Sequence, residues 1–489
     1  MSDRDGSKIV GKSPTSETFA ELVAPFGVDE FLDKIWQREP RLLRAADVAA
    51  GKKNGAVQGV RLLSQSWADC CDMLHLAWLA DMSEGLPDGC DFLVFKGGEL
   101  THEYDPLGPS AALLDGCSCV VNHAEYVWPP FLTLCRQLRS RLLHVYANTY
   151  ITPTNSQAVS PHADDRDVFV YQIQGTKHWR VYNNPPVKFP YTDEQVGKHG
   201  LAIPSEVLNS PPLMEVVLQP GDVLYMPRGF VHEARCTEHS SWHATLAVAT
   251  HDWSWAKVFA ASAREALDHE RWRVAVPLSL GLPDGQEGRA ADAACADSEL
   301  PALVERLREA VSLQQMQEIL SSKLEGVNRQ QERHANAFQD GPGLSFRNEA
   351  SYLRLRQIQE STRLRKTTPE EIRGLMRKGN NKGGKGYGKG GKGADLEPAL
   401  LSKGGKGSKG PRGIMVRNEI ANAALSALSS SRSRTVKGAL VSELAEDCGD
   451  KEALVLFDEL MQICFARVCV NAGTFRVIGQ SFGGGPIEE

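Results

Sequence analysis

The feature that most constrains the fold is a stretch in which an imidazole and a carboxylate stand directly before two strand-forming runs. Residues 168–173 and 177–182 are rich in β-branched and aromatic residues, and the Gln-Gly-Thr turn at 174–176 predicts that they pair as a hairpin. His162 and Asp164 precede the first run, and residues two apart in an extended chain project to the same face. The two side chains therefore supply two-thirds of the facial triad that holds a non-haem Fe(II).

A second motif supplies a third ligand. From Gly221 the chain reads Gly-Asp-Val-Leu-Tyr-Met-Pro-Arg-Gly-Phe-Val-His, so an apolar strand is followed by a Pro-Arg-Gly turn and an extended piece that carries His232. A His-x-Asp pair alone recurs by chance in any long chain. Together with the flanking strand signals and the distant histidine, it predicts that His162, Asp164 and His232 bind one metal ion. In the plainer alternative the two histidines belong to the core and Asp164 caps a turn.

At this point the motifs resemble those of the JmjC oxygenase domain of the ribosomal oxygenase (histidyl hydroxylase) group, within the cupin superfamily. The resemblance covers residues 26–250. It is carried by Asn148-Thr-Tyr150-Ile-Thr-Pro, His162-x-Asp164, Phe169-Val-Tyr-Gln with Gly175-x-Lys177-x-Trp179, and Gly221-Asp through His232. The resemblance implies an α+β protein in which a double-stranded β-helix (cupin or jelly-roll) domain precedes a helical dimerisation region and a C-terminal winged-helix domain.

The resemblance also implies the cofactors. His162, Asp164 and His232 would bind Fe(II), with 2-oxoglutarate and O2 as cosubstrates. Lys177 would pair with the distal carboxylate of 2-oxoglutarate.

Three further positions bear on the cosubstrate. Asn148 and Tyr150 match family positions that line its pocket. The chain departs from the family at Ala247, which aligns with a serine that usually helps to bind 2-oxoglutarate. Thr245 lies two residues earlier on the same face of the strand, and we expect it to supply the hydroxyl instead.

Composition along the chain predicts five segments. Residues 1–16 are expected to be disordered, and residues 17–252 to form the oxygenase domain. Apolar residues at helical spacing predict a helical region over 253–365, which the resemblance identifies as a dimerisation region of a homodimer. Residues 366–413 read as a basic Lys/Gly-rich linker, and residues 414–489 resemble a winged helix.

Charge is spread unevenly. Residues 363–412 hold 14 basic and 4 acidic residues, a local charge of +10, which leaves −16 for the rest of a chain whose overall charge is −6. Glycine at the density found in this segment predicts a flexible linker. It is either a solvated spacer or an arm that contacts RNA phosphates without sequence preference, and the arm is slightly favoured.

The winged-helix resemblance rests on helices predicted over 416–428, 438–447 and 451–464 and a β-wing over 468–477. Acidic residues in the third helix argue against sequence recognition of DNA by insertion of this helix into a major groove, because they would repel the phosphates. We expect this segment to pack against the rest of the chain or to dock a partner.

Several classes are disfavoured. The first 18 residues lack the apolar region of a secretory signal, and no run is long enough to span a membrane. The eleven cysteines show no zinc framework and are expected to be reduced and mostly buried. The Lys/Gly arm and the resemblance favour the nucleus or nucleolus, with the cytoplasm as the alternative.

The function implied by the resemblance is hydroxylation of a protein side chain, first of all a histidine of a ribosomal protein. Demethylation of histone N-methyl-lysine is a second interpretation, because it uses the same metal chemistry. A third is a non-catalytic cupin scaffold that binds ribosomes or chromatin.

Overall fold

In a computed structural model of the protein, helices and strands are described over most of the first 358 residues and in short pieces beyond. The described residues are 14–50, 63, 65–103, 108–198, 200–268, 270, 273, 275, 300–308, 311–358, 363–366, 439–440, 458–471 and 475–477.

The helices are α1 (Pro14–Leu22), α2 (Val28–Lys34), α3 (Ala45–Ala50), α4 (Trp67–Met82), α5 (Pro109–Leu114), α6 (Ala124–Val127), α7 (Pro129–Leu142), α8 (Ser205–Asn209), α9 (Trp255–Ala266), α10 (Leu313–Asp340), α11 (Pro342–Arg347), α12 (Ala350–Leu355) and α13 (Glu459–Asn471). The strands are β1 (Arg41–Leu43), β2 (Phe92–Lys96), β3 (Glu99–Leu100), β4 (Ser118–Val121), β5 (Tyr146–Thr152), β6 (Asp167–Gly175), β7 (Lys177–Tyr182), β8 (Pro212–Leu218), β9 (Val223–Met226), β10 (His232–Arg235), β11 (Ser241–Val248), β12 (Arg363–Lys366), β13 (Ala439–Leu440) and β14 (Phe475–Val477). Short 3₁₀ helices span Thr192–Glu194 and Thr250–Trp253.

The largest sheet is antiparallel, with strand order β1-β9-β6-β11-β5-β4-β2-β3. Side chains of a strand alternate between faces. On β6, Phe169 and Tyr171 face the helices, whereas Val168 and Val170 face a second sheet. Burial on both faces explains why this strand reads as a nearly continuous apolar run.

The second sheet has the order β10-β7-β8 and packs against the first. Trp179, Val181 and Leu218 of the second sheet share one buried cluster with Val168 and Leu224 of the first. The two antiparallel sheets therefore form a β-sandwich of the cupin type, and with the helices the protein is α+β, as predicted.

The predicted hairpin between residues 168–173 and 177–182 is wrong. Both strands exist, but β6 pairs with β9 and β11, whereas β7 pairs with β8 and β10. The chain changes sheet at Gly175, whose φ is +63° and where an added Cβ would lie 1.8 Å from the Ser240 carbonyl oxygen. Only glycine fits this corner, so the same residue that signals a tight turn permits a switch between sheets.

An aromatic cluster fastens the N-terminal helices to the large sheet. Phe19, Phe31 and Trp36 lie against Phe169 and Tyr225, with ring centroids 4.9 to 6.4 Å apart. Offset and edge-on contacts of this kind add to the free energy gained from burial alone.

Two predicted boundaries near the ends of the first 366 residues need correction. Helix α1 begins at Pro14, so the predicted disorder is wrong over 14–16, and residues 1–13 lie outside the described part. The described residues of 253–358 are largely helical, as predicted, but β12 at Arg363–Lys366 is a strand. The remaining linker, 367–413, also lies outside the described residues.

The C-terminal segment departs from the predicted winged-helix pattern where it is described. Strand β13 falls in the predicted helix 438–447, and α13 continues to Asn471, through the start of the predicted wing. Strand β14 agrees with the end of that wing, and it pairs with β12 rather than with a neighbouring wing strand. The predicted helix 416–428 lies outside the described residues.

Helix α13 packs into the core instead of standing apart. It contacts α4 and α5, and Leu460, Ile463 and Phe465 belong to the main buried cluster. The Arg467 guanidinium is 1% exposed and donates a 2.5 Å hydrogen bond to Asp72 on α4. Burial raises the pKa of Asp72, and the Arg467 charge opposes that rise.

This buried pair gives the first prediction. Arg467→Ala leaves the Asp72 carboxylate buried without its partner, and we expect the free energy of unfolding to fall by about 3–5 kcal/mol. Replacing both residues together, as Asp72→Leu with Arg467→Met, should restore much of that loss because no buried charge remains. Urea unfolding followed by circular dichroism measures both. Equal losses in the single and double variants would contradict the role given to the pair.

The described residues bear on two expectations from composition, which concern the cysteines and membrane-spanning helices. Eight cysteines whose side chains the structure describes are buried, as expected, and their thiols are free, with the Sγ atoms of Cys71 and Cys464 3.9 Å apart. Among the described helices, none combines the length and apolar character needed to cross a bilayer.

Candidate metal centre and its pocket

Backbone pairing brings the two candidate histidines side by side. The His162 amide donates to the His232 carbonyl at 3.1 Å, and the His232 amide donates to the His162 carbonyl at 2.9 Å. Residues that exchange both hydrogen bonds point their side chains to the same face. The two imidazole centroids are accordingly 4.5 Å apart, at the start of β10.

Asp164 completes the cluster. Its carbonyl accepts a hydrogen bond from the Gly229 amide at 2.9 Å, which holds the chain two residues beyond His162 against the Pro-Arg-Gly turn. Its carboxylate oxygens lie 3.7 Å from Nε2 of His162 and 3.7 Å from Nε2 of His232. One ligand atom from each of the three residues falls within 4.8 Å of the others, and no second such group occurs among the described residues.

The ring nitrogens are oriented for metal binding. Nδ1 of His162 lies 2.8 Å from the Ser160 carbonyl and Nδ1 of His232 lies 3.0 Å from the Phe230 carbonyl. A carbonyl accepts only from N–H, so each ring is protonated at Nδ1 and offers the lone pair of Nε2. Burial, helped by nearby positive charge, lowers the pKa of His162 to about 3 and also lowers that of His232. Both imidazoles are therefore neutral at physiological pH.

An unpredicted residue touches the carboxylate. Lys198 donates from Nζ to Oδ1 of Asp164 at 2.5 Å, and to Gln195 at 3.4 Å. Burial raises the pKa of Asp164, but the charge and hydrogen bond of the Lys198 ammonium outweigh it and hold this pKa below its usual range. The carboxylate is thus ionised, and a lysine side chain supplies the positive charge beside it.

A pocket between the two sheets opens onto this cluster and contains the predicted cosubstrate lysine. Lys177 lies in its lining with 2% of its surface exposed, and its Nζ donates to the Thr152 hydroxyl at 3.0 Å. Burial lowers the pKa of Lys177 to about 8. The Thr152 hydroxyl carries no charge that could balance the Lys177 ammonium. Lys177 can therefore form an ion pair with an anionic ligand.

The other predicted pocket residues occupy different places. Tyr150 and Thr245 line the pocket. Asn148 does not belong to its lining but hydrogen-bonds the Tyr150 hydroxyl, so it positions a lining residue. Ala247 is fully buried between the sheets and lies outside the pocket, which leaves Thr245 as the hydroxyl that this strand presents there.

Sequence reasoning missed two aromatic groups of the pocket. His243 stacks on Tyr150 with ring centroids 4.9 Å apart and planes 2° apart, and Trp179 meets His243 edge-on at 5.5 Å. His243 Nδ1 and Trp179 Nε1 are buried without a hydrogen-bond partner among the described residues. The usable signal for His243 is its position two residues before Thr245 on one strand, which places both side chains on one face.

The comparison with protein families agrees with this geometry. Residues 123–257 match the model of the JmjC domain. The matched region includes strands β5 to β11 and all three candidate metal ligands.

Two curated relatives are similar to this chain over about half of its length. Bifunctional lysine-specific demethylase and histidyl-hydroxylase NO66 of Aedes aegypti is 29% identical over 295 residues, 56% of this chain and 41% of the relative. Human ribosomal oxygenase 1 is 34% identical over 241 residues, 47% of this chain and 34% of the relative. The chain thus spans about a third to two-fifths of these relatives.

Among solved structures, the Escherichia coli ribosomal oxygenase YcfD in complex with cobalt and 2-oxoglutarate is similar at 17% identity, over 93% of this chain and 99% of that one, with a TM-score of 0.33. A second YcfD structure is similar at 18% identity over 92% and 98% of the two chains, with a TM-score of 0.35.

Proposed function

We propose that this protein is an Fe(II)- and 2-oxoglutarate-dependent oxygenase that hydroxylates a protein side chain, a histidine of a ribosomal protein. The observation that carries the proposal is a set of two neutral imidazoles and one carboxylate beside a buried ammonium that has no carboxylate partner among the described residues. A facial set of this kind is typical of non-haem Fe(II) oxygenases.

The donor set fits the metal. Two imidazole nitrogens and one carboxylate oxygen would hold the ion and would leave coordination positions for a cosubstrate, and the Ser160 and Phe230 carbonyls fix the tautomer of each imidazole. When bound, Fe(II) with 2-oxoglutarate supplies the oxidising power that places an oxygen atom of O2 on a C–H bond. The protein's part is to hold the donors, keep the imidazoles neutral and exclude water from the pocket.

The pocket fits a dicarboxylate cosubstrate. Lys177 offers an ammonium for the distal carboxylate in a site from which water is largely excluded, where charge pairing is stronger than in solvent. Tyr150, Thr245 and the unpartnered ring nitrogens of Trp179 and His243 are hydrogen-bonding groups around the same space. We therefore assign Lys177 the charge pairing and Tyr150 and Thr245 the orientation of 2-oxoglutarate, with Asn148 supporting Tyr150.

A ribosomal protein is the proposed substrate because the relatives are named ribosomal oxygenase and histidyl-hydroxylase. The charge of −16 outside residues 363–412 also suits a basic partner. The name of the Aedes aegypti relative keeps lysine demethylation as the second candidate. The metal and the cosubstrate serve both reactions, so the acceptor decides between them.

Succinate release and mass spectrometry test the proposal. Purified protein with Fe(II), 2-oxoglutarate and a ribosomal protein extract should form succinate and add 16 Da to one peptide. Loss of a methyl group from an N-methyl-lysine peptide, with formaldehyde release, would point to the demethylase. Unchanged binding of ribosomes or chromatin by protein that binds no metal would support the scaffold.

Lys198 leads to the second prediction. Its ammonium lies on the carboxylate that a metal ion needs, so the two cations compete for Asp164. We expect Lys198→Met to bind Mn(II) roughly tenfold more tightly than the wild type because one repulsive charge is removed. Lys198→Arg keeps the charge and should stay near the wild-type value. Electron paramagnetic resonance of free Mn(II) gives the affinities, and weaker binding by Lys198→Met would show that Lys198 supports the site instead.

We also propose a homodimer formed through the helical region. The helical residues 300–308 expose Leu300 and Val304 one turn apart, with 62% and 49% of their surfaces accessible, and Leu313 at the start of α10 is 66% accessible. Paired apolar residues on one helical face favour association.

The third prediction follows from that exposed face. Leu300→Asp with Val304→Asp should convert a dimer into a monomer, as measured by light scattering after size exclusion. Glu305→Lys, one residue on, serves as the charge-change control. A wild-type monomer at micromolar concentration would contradict the proposed dimer.

The Lys/Gly-rich segment lies outside the described residues. We propose that it contacts RNA phosphates and that the protein acts in the nucleus or nucleolus, or else in the cytoplasm. Phosphate contacts make binding strongly salt-dependent, so RNA affinity should fall steeply between about 50 and 200 mM salt.

A further inference from the structure

A second cavity, distinct from the metal pocket, lies where the ends of α2, α7 and β11 meet the loop after β7. Its volume is about 450 Å³, within the range of about 300–1,000 Å³ typical of small-molecule sites. None of its lining residues belongs to the lining of the metal pocket. The proposed oxygenase reaction does not use this second cavity.

A buried arginine dominates its chemistry. Arg228, from the Pro-Arg-Gly turn, is only 8% exposed, and its guanidinium makes no hydrogen bond or ion pair with any residue in the described ranges. The guanidinium lies over the face of Phe189, 5.5 Å from the ring centroid. Burial of a charged group is costly unless an opposite charge or hydrogen-bond acceptors compensate it.

The carboxylate with the largest electrostatic effect on Arg228, that of Asp167, already accepts hydrogen bonds from other groups. Asp167 accepts hydrogen bonds from Gln37 Nε2 at 3.2 Å and from the Tyr225 hydroxyl at 3.0 Å, and it also accepts from the Thr250 hydroxyl. Asp167 therefore interacts electrostatically with Arg228 but does not accept a hydrogen bond from it. The guanidinium keeps its capacity for an anion.

The walls favour a flat ligand. Trp36, Phe189, Trp253 and Trp255 contribute aromatic rings, and Arg141 adds a second positive charge, whereas no lining residue is acidic. Rings of this kind stack on planar groups, and arginine recognises carboxylate or phosphate.

Backbone conformation points the same way. The lining residues Gln37, Leu143 and Phe189 all have positive φ, between 56° and 65°, which L-residues seldom adopt. Such conformations persist where the surroundings enforce them and are frequent at ligand clamps.

We propose that this cavity is a second binding site, which takes an aromatic anion whose ring stacks among the tryptophans and whose carboxylate or phosphate pairs with Arg228. Three elements that also frame the oxygenase domain meet there, so an occupied site would fasten α2 and the loop after β7 together. The site does not depend on metal or 2-oxoglutarate.

Calorimetry of the full-length protein with 1-naphthoate tests the proposal. The protein is first saturated with Mn(II) and 2-oxoglutarate, so that Lys177 is occupied. We expect 1-naphthoate to bind with a Kd on the order of 1 mM or tighter. The neutral amide 1-naphthamide should bind at least about tenfold more weakly, and acetate more weakly still, because the first lacks the charge and the second lacks the ring. Naphthyl phosphate in place of 1-naphthoate shows whether phosphate is preferred to carboxylate.

Two variants locate the binding. Arg228→Gln should remove the preference for 1-naphthoate over 1-naphthamide, whereas Lys177→Met should leave it unchanged. Trp255 is 78% exposed, so Trp255→Ala should fold normally and weaken both ligands several-fold. Absence of 1-naphthoate binding to the wild type, or equal binding by the wild type and both cavity variants, would overturn the proposal. Loss of 1-naphthoate binding in Lys177→Met alone would assign the binding to the metal pocket, and this result would also overturn the proposal.

Discussion

His162→Ala should lower the affinity for Mn(II) by at least about 100-fold and abolish succinate formation. Loss of a residue that merely supports a metal ligand costs about 10- to 100-fold, so loss of a direct ligand should cost more. The substitution removes one of three donors whose ligand atoms lie within 4.8 Å of one another. It also leaves the ionised Asp164 beside Lys198, which would then hold the carboxylate without competition.

A matched control separates ligand loss from general damage. His178→Ala removes an imidazole from β7 that pairs with Glu215 and does not line the pocket. It should bind Mn(II) as the wild type does. Mn(II) affinity is measured by electron paramagnetic resonance and succinate by mass spectrometry. If His162→Ala retained wild-type Mn(II) affinity, the proposed metal centre would be wrong.

Lys177→Met should weaken 2-oxoglutarate binding by about 100-fold or more and leave Mn(II) affinity unchanged. Truncating one partner of a buried charge pair costs about 2–5 kcal/mol, and each 1.4 kcal/mol is a factor of ten. Methionine keeps most of the volume of the lysine, so the lost affinity reports the charge. Lys257→Met, which removes an exposed lysine paired with Asp252, is the control.

The same lysine predicts a pH dependence. Burial lowers the pKa of Lys177 to about 8, so the free protein loses the ammonium above that pH. The carboxylate binds the charged form, and 2-oxoglutarate affinity should therefore fall as pH rises above about 8. Calorimetry between pH 7 and 9.5 in the presence of Mn(II) measures the slope. Lys177→Met should remove the dependence, and an equal slope in this variant would assign it to another group.

Lys177 also affects stability, with the opposite sign. Because its folded pKa lies below the usual lysine value of about 10.4, the unfolded chain binds more protons between those two pH values. The contribution of this residue to the free energy of unfolding should therefore rise with pH across that window.

The grouping of His162, Asp164 and His232 could be predicted because the information is local in each motif. His162 and Asp164 are two residues apart, and His232 follows a turn that the sequence Pro-Arg-Gly predicts. What the sequence could not give is the backbone pairing of His162 with His232, since strand register depends on contacts distant in the chain.

The wrong predictions, of a hairpin and of a wing strand, arose where a local sequence pattern is compatible with two structures. Gly175 with its neighbours indicates a tight turn, but the contacts of β6 with β9 and β11 decided that the chain changes sheet there. Val468 and Val470 suggested a strand, yet both lie in α13, whose residues are buried on most sides. A short apolar run is ambiguous between a strand and a buried helix.

The pocket residues that escaped prediction depend on three-dimensional position. Lys198 lies 34 positions beyond Asp164 in a long loop, and no periodicity ties the two together. His243 could be assigned to one face of β11, but which face borders the pocket is settled by how the two sheets pack.

Crystals soaked with Mn(II) and measured near the manganese absorption edge test the metal assignment most directly. We expect one strong anomalous peak within about 2.0–2.3 Å of Nε2 of His162, a carboxylate oxygen of Asp164 and Nε2 of His232, with Lys198 displaced from Asp164. An absence of anomalous density between these three side chains, or a peak only at some other group of ligands, would contradict the metal centre and the oxygenase function built on it.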